Sequence, residues 1–191
     1  MKKIGLYFGS FNPVHIGHLL VATHIKEAAK LDEVWLVVSP QNPFKINTYL
    51  INAAHRLQMV KLATENVNYF KVSDIEFQLP KPSYTHQTLK ELSKIYTGIE
   101  FQLIIGEDNV AQLHQWKEID WIFNNFQIIV YNRTIEDKNH KYSINQLKYY
   151  NLPMFDISST EIRNRIAHNQ SIQYFVTENV KQYIEFHNLY R

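Results

Sequence analysis

Short apolar runs alternate along the chain with stretches in which apolar residues recur every three or four positions, and that alternation predicts an α/β fold. Residues 3–8 form an apolar run closed by Gly9 and Ser10; residues 17–31 then carry Leu20, Ala22, Ile25, Ala28 and Ala29 at helical spacing. Residues 33–39 (EVWLVVS) read as a strand buried on both faces, and a loop over 40–48 with two prolines follows. The pattern continues with a helix over 52–66, a strand over 70–75, a helix over 85–96 and a strand over 101–105. A helix after Gly106, a strand over 126–131, a last strand candidate over 154–157 and helices over 159–167 and 177–187 complete it. Residues 132–141 are polar and read as an exposed loop.

Strands and helices taking turns predict a doubly wound parallel sheet covered on both faces, its crossovers right-handed. At 191 residues we expect a single domain over 1–191, with a helical portion from about residue 159. Ligands in such sheets bind beyond the carboxyl ends of the strands, so the loops that follow strands are where chemistry is expected.

Composition narrows the function classes. Hydrophobic residues make up 45% and charged residues 20%, an ordinary balance for a chain that folds throughout. The net charge of +2 is spread rather than gathered into runs, which argues against a nucleic-acid partner and suits a small anionic substrate. The absence of cysteine excludes disulfides, thiolate zinc sites and a cysteine nucleophile, and it suits the cytoplasm. Lys2 and Lys3 resemble the head of a signal peptide, but Asn12, Pro13 and His15 interrupt the apolar run that follows. No run approaches the roughly 18 apolar residues that a membrane span needs. A homo-oligomer is compatible with the sequence but not specified by it.

Two segments carry candidate chemistry. After the first strand comes Gly9-Ser10-Phe11-Asn12-Pro13-Val14-His15-Ile16-Gly17-His18, a glycine-bearing loop that opens into a helix with two histidines three residues apart. Glycine admits close backbone approach, a helix start offers N–H groups and a positive dipole end, and imidazoles donate to phosphate oxygens, so the segment suits a polyphosphate. A metal site would need a third ligand, and none is evident nearby; no protein metal ligands are expected. The second segment is Ile157-Ser158-Ser159-Thr160-Glu161-Ile162-Arg163, in which Ser158 and Glu161 have capping-box spacing and the helix start is again an anion site.

Together the two segments resemble the nucleotidyltransferases that carry an HxGH signature near the N-terminus and an ISSTxIR signature near the C-terminus, and among them the bacterial nicotinate mononucleotide adenylyltransferases. Class I aminoacyl-tRNA synthetases share HxGH, but this length leaves no room for their body. Further segments fit the same family: Pro40 to Lys45 (PQNPFK), Pro82-Ser83-Tyr84-Thr85, Gly106-Glu107-Asp108 and Trp116. The resemblance implies a Rossmann-like fold and transfer of AMP from ATP to nicotinate mononucleotide, with Mg²⁺ bound to ATP. It implies that His15, His18, Lys45 and Arg163 act on the phosphates, and that Gly9, Ser10, Phe11, Gly17, Asp108, Ile157, Ser158 and Ser159 help to hold ATP. Asn12, Lys45, Ser83, Tyr84, Thr85, Gly106 and Trp116 are implied for the acceptor, the indole stacking on the pyridine ring. The chain departs from the pattern at Phe8, where many members have glycine, at Asn12, where many have aspartate, and at Phe44, where histidine is frequent.

Other acceptors, nicotinamide mononucleotide or phosphopantetheine, would leave the reaction type unchanged. Trp116 favours a flat ring over a flexible pantetheine arm. A non-catalytic nucleotide-binding module is the reading from another class.

Overall fold

The computed structural model describes residues 1–41, 49–132, 147–153 and 155–191. Six strands make one parallel sheet: β1 (Lys2–Gly9), β2 (Glu33–Val38), β3 (Phe70–Ser73), β4 (Ile99–Gly106), β5 (Gln127–Asn132) and β6 (Leu147–Asn151). Their spatial order is β3-β2-β1-β4-β5-β6, so the chain builds outward from β1 to one side and then to the other. The crevice between β1 and β4, where the winding reverses, is the place such a sheet offers to a ligand.

Side chains sort between the two faces by strict alternation. Val34, Leu36 and Val38 of β2 enter one hydrophobic cluster while Trp35 and Val37 enter the other. Ile104 of β4 and Ile129 of β5 join the first; Leu103, Ile105, Ile128 and Val130 join the second. Both faces are therefore covered, which is why these strands read as continuous apolar runs rather than as an alternation. Helices α1 (Ile16–Ala28), α2 (Ala53–Thr64), α6 (Ser159–Ala167) and α7 (Glu178–Phe186) close the first face through Val21, Ile25, Met59, Val60, Ile162, Val180 and Ile184. Helices α3 (Thr85–Ile95) and α5 (Ile119–Asn125) close the second through Leu89, Leu92 and Ile122. Each such side chain contributes about 1.5–3 kcal/mol on full burial, so the two cores fix the sheet from which the loops project.

Most expected elements are present within a few residues of their predicted ends. One is not as expected, and the helix expected after Gly106 is present but short. Residues 155–158 form no strand; the sixth strand is Leu147–Asn151, paired with β5 from Ile128↔Leu147 to Asn132↔Asn151. An edge strand has one neighbour and needs no continuous apolar run, whereas Phe155 and Ile157 owe their apolar character to packing on the first core. The helix after Gly106 is only α4 (Glu107–Val110), followed by a 3-10 turn at Leu113–Gln115 and then α5. Glu118, at the left-handed φ of 53°, separates that turn from α5. Asn132 ends β5 and is buried, so the polar loop expected over 132–141 does not begin there; its other residues lie outside those described.

Candidate active site

The loop that leaves β1 is held by its carbonyls. Arg56 Nη1 donates to Ser10 O at 2.5 Å, Arg163 Nη1 to Asn12 O at 2.8 Å and Ser159 Oγ to Pro13 O at 2.9 Å. Across a trans peptide the next N–H points away from the carbonyl before it, so capture of Ser10 O turns the Phe11 N–H away from Arg56. Phe11 itself sits at φ 46°, a strained setting that its burial maintains.

His15 caps α1, and its ring lies against that of His18 with centroids 3.7 Å apart and planes 33° from parallel. Gly17 leaves room for this packing: a Cβ there would meet His15 Nδ1 at 3.0 Å and Cε1 at 3.1 Å and press on the ring. The His15 backbone N–H donates to His18 Nδ1 at 3.3 Å, which assigns the neutral His18 proton to Nε2 and makes that nitrogen a donor for a phosphate oxygen.

Helix α6 starts at the same place. Ser158 Oγ accepts from the Glu161 N–H at 3.1 Å, the forward half of the capping box, while the Glu161 carboxylate lies 3.9 Å from Arg165. The Ser159 and Arg163 bonds to the β1 loop thus join two segments 146 and 151 residues apart in sequence. Arg163 Nη2 also donates to Thr160 Oγ1 at 3.1 Å, leaving guanidinium donors to spare for an anion.

These segments border a cleft of about 610 Å³ over the ends of β1 and β4. Gly9, Ser10, Phe11, Asn12, His15 and His18 line it from the first loop, and Ile157, Ser158, Ser159 and Arg163 from the start of α6. Ser83, Tyr84, Thr85, Gly106, Asp108 and Trp116 line the remainder. A Cβ on Gly106 would meet Asp108 Oδ1 and stand 3.3 Å from the Tyr131 hydroxyl, so any larger residue here would displace the Asp108 carboxylate from its present position in the cleft. Gly17 supports the wall through His15 rather than lining it, and Lys45 lies outside the described residues.

The comparisons with known proteins agree with one another. Residues 6–165 match the model of the cytidylyltransferase-like family. A protein of Flavobacterium johnsoniae carrying the name probable nicotinate-nucleotide adenylyltransferase is 45% identical over 195 aligned positions, covering 99% of each chain. A protein of Flavobacterium psychrophilum with the same name is 46% identical, again over 99% of each. The chain belongs to the nicotinate-nucleotide adenylyltransferases of the cytidylyltransferase-like family. Its fold is that of the Plasmodium falciparum nicotinic acid mononucleotide adenylyltransferase solved in complex with NaAD, at a TM-score of 0.80, 21% identity and coverage of 100% of this chain and 98% of that one.

Three residues of this adenylyltransferase-family site have no counterpart among the sequence expectations. Arg56, 1% exposed, donates to the carbonyls of Ser10, Ser39 at 2.7 Å, Pro40 at 2.7 Å and Ile51 at 3.2 Å. It ties the β1 loop to both the exit of β2 and the chain that returns into α2. Asn12 reinforces the tie, its Nδ2 donating to Tyr49 O at 2.8 Å and its Oδ1 accepting from the Tyr190 hydroxyl at 3.0 Å. The Asn12 side chain is thereby engaged by protein, although the residue lines the cleft.

Lys117 is the second, its Nζ lying 3.9 Å over the Tyr84 ring at the edge of the cleft. Glu76 is the third, buried in the cleft wall with Oε1 accepting from Thr88 Oγ1 at 2.9 Å. Burial pushes the Glu76 carboxyl above its ordinary range, against the opposing pull of the Thr88, Ser39 and Ser83 hydroxyls. A raised folded-state pKa means that the fold binds this proton more tightly than the unfolded chain does. Its stabilising contribution is full below the ordinary carboxylate range and is lost as pH rises through the raised value. Glu76→Gln, which keeps the shape and removes the titration, is therefore expected to gain in Tm relative to the parent chain between pH 5 and pH 8. Thermal melts of both proteins across that range check this; a Tm difference independent of pH would contradict it.

Proposed function

We propose that this protein transfers AMP from ATP to nicotinate mononucleotide, releasing pyrophosphate and forming nicotinate adenine dinucleotide. The observation that carries the reading is that the HxGH loop and the ISSTxIR helix meet in one cleft at the reversal point of the sheet, bonded through Pro13 O and Asn12 O. The named relatives support the choice of acceptor.

The chemistry asks for little acid–base work. A mononucleotide phosphate is mostly dianionic at pH 7, its second pKa being about 6, so its oxygen can attack the α-phosphorus without a strong base. One P–O bond forms as the bond from the α-phosphorus to the bridging oxygen breaks, and pyrophosphate leaves with the electron pair. The obstacle is bringing anions together and holding the charge that moves onto the leaving group. His15, His18 and Arg163 meet the triphosphate from the two signature segments, and Lys45 adds a further cation. Asp108 borders the nucleotide, while Ser83, Tyr84, Thr85 and Trp116 shape the acceptor end.

Mg²⁺ bound with ATP would offset phosphate charge. An ion carried by phosphate oxygens and water needs few protein ligands, and the cleft holds the carboxylate of Asp108. No helix among the described residues is long and apolar enough to cross a membrane. Incubation with Mg²⁺-ATP and nicotinate mononucleotide should yield the dinucleotide and pyrophosphate in a one-to-one ratio, read by mass spectrometry and a phosphate-coupled assay. Folded protein that binds ATP and converts none would point instead to a non-catalytic nucleotide-binding module.

A further inference from the structure

The acceptor end of the cleft carries a cation that the reaction as described does not use. Besides the two histidines, the cationic side chains lining the cleft among the described residues are Arg163 and Lys117. Arg163 lies at the phosphate end, bonded to Asn12 O. Lys117 follows Trp116 in sequence and rests over Tyr84, between the two segments that bound the acceptor.

Lys117 is also uncommitted. Its neighbour Glu118, the nearest carboxylate along the chain, pairs with His86 at 3.3 Å and Lys90 at 2.5 Å, and Lys117 makes no ion pair with a described carboxylate. The buried carboxyl of Glu76, in the same cleft, is engaged by the Thr88 hydroxyl at 2.9 Å. A lysine held against an aromatic face at a site mouth retains donors for an anionic ligand.

We infer that Lys117 is a specificity-determining residue whose ammonium meets the carboxylate on the pyridine ring of the acceptor and so favours the acid over the amide. The inference rests on the acceptor reading above. Both mononucleotides carry the same ribose phosphate, so a cation that merely raised the general positive field would help both alike. They differ by one charge, on the ring substituent, and a cation beside that substituent separates them. A charge-assisted hydrogen bond of this kind accounts for roughly a ten- to hundredfold difference.

The test is kcat/KM for nicotinate mononucleotide and for nicotinamide mononucleotide in the parent protein and in Lys117→Gln and Lys117→Arg, with thermal melts to establish that all three fold. Lys117 is exposed, and neither change removes packing from a core. Lys117→Gln should lower kcat/KM for the acid about ten- to hundredfold and change that for the amide less than about threefold, with Lys117→Arg keeping most of the discrimination. An equal fall with both acceptors, as expected if the lysine only positions Tyr84, would overturn the inference, as would an unchanged ratio; in either case the parent's activity on the acid would leave the proposed function standing. A parent protein inactive on nicotinate mononucleotide would overturn both.

Discussion

Replacing His18 with alanine should reduce kcat about a hundredfold or more, with a smaller change in the KM for ATP. His18 faces the cleft, its Nδ1 engaged by the His15 backbone N–H so that Nε2 carries the donor hydrogen. A hydrogen bond to a charged group contributes about 1.5–3 kcal/mol, which is ten- to more than a hundredfold in rate if realised chiefly in the transition state. The α-phosphate and pyrophosphate oxygens gain charge as the bond to the leaving group lengthens, so the donor acts there more than in the bound substrate. The change also removes the ring that stacks on His15 at 3.7 Å, and the loss of that support places the effect at the upper end. Steady-state kinetics of the purified variant read the result directly, and turnover within a few fold of the parent would contradict the role.

Arg56→Met should destabilise the protein by about 3–5 kcal/mol, because four carbonyls lose a donor, three of them in buried contacts. For a chain of this size that is a fall in Tm of roughly 10 °C. Arg56→Lys keeps the charge but not the planar fork, so it should recover part of the stability while turnover stays low, since Ser10 and the exit of β2 are no longer held in one register. Calorimetry beside kinetics separates the two effects. Parent-like Tm and kcat in Arg56→Met would show that the clamp seen at Ser10, Ser39, Pro40 and Ile51 carries no weight. Burial already pulls the guanidinium below its ordinary pKa, a cost borne for the geometry it enforces.

Legibility from sequence followed the range of each interaction. The four inner strands were readable because burial on both faces writes itself as apolar runs, and α6 was readable because its cap, Ser158 to Glu161, is local. Strand β6 was hidden: only Leu147 of its five residues is buried, so its composition resembles a loop. The cleft residues from Gly9 to His18 and from Ile157 to Arg163 were recognisable as two signatures, but their direct bonding through Pro13 O and Asn12 O was not. Arg56 left no trace at all, since its partners are backbone carbonyls 5 to 46 residues away, which any residue could supply. Glu76 and Lys117 are ordinary residues in sequence; burial distinguishes the one, and its seat on Tyr84 the other.

The most direct test of the account is pyrophosphate release by the purified protein with Mg²⁺-ATP and, separately, nicotinate mononucleotide, nicotinamide mononucleotide and phosphopantetheine. Strong release with the first, weak release with the second and none with the third is the predicted result. Release with phosphopantetheine alone, or silence with all three from folded protein that binds ATP, would contradict it.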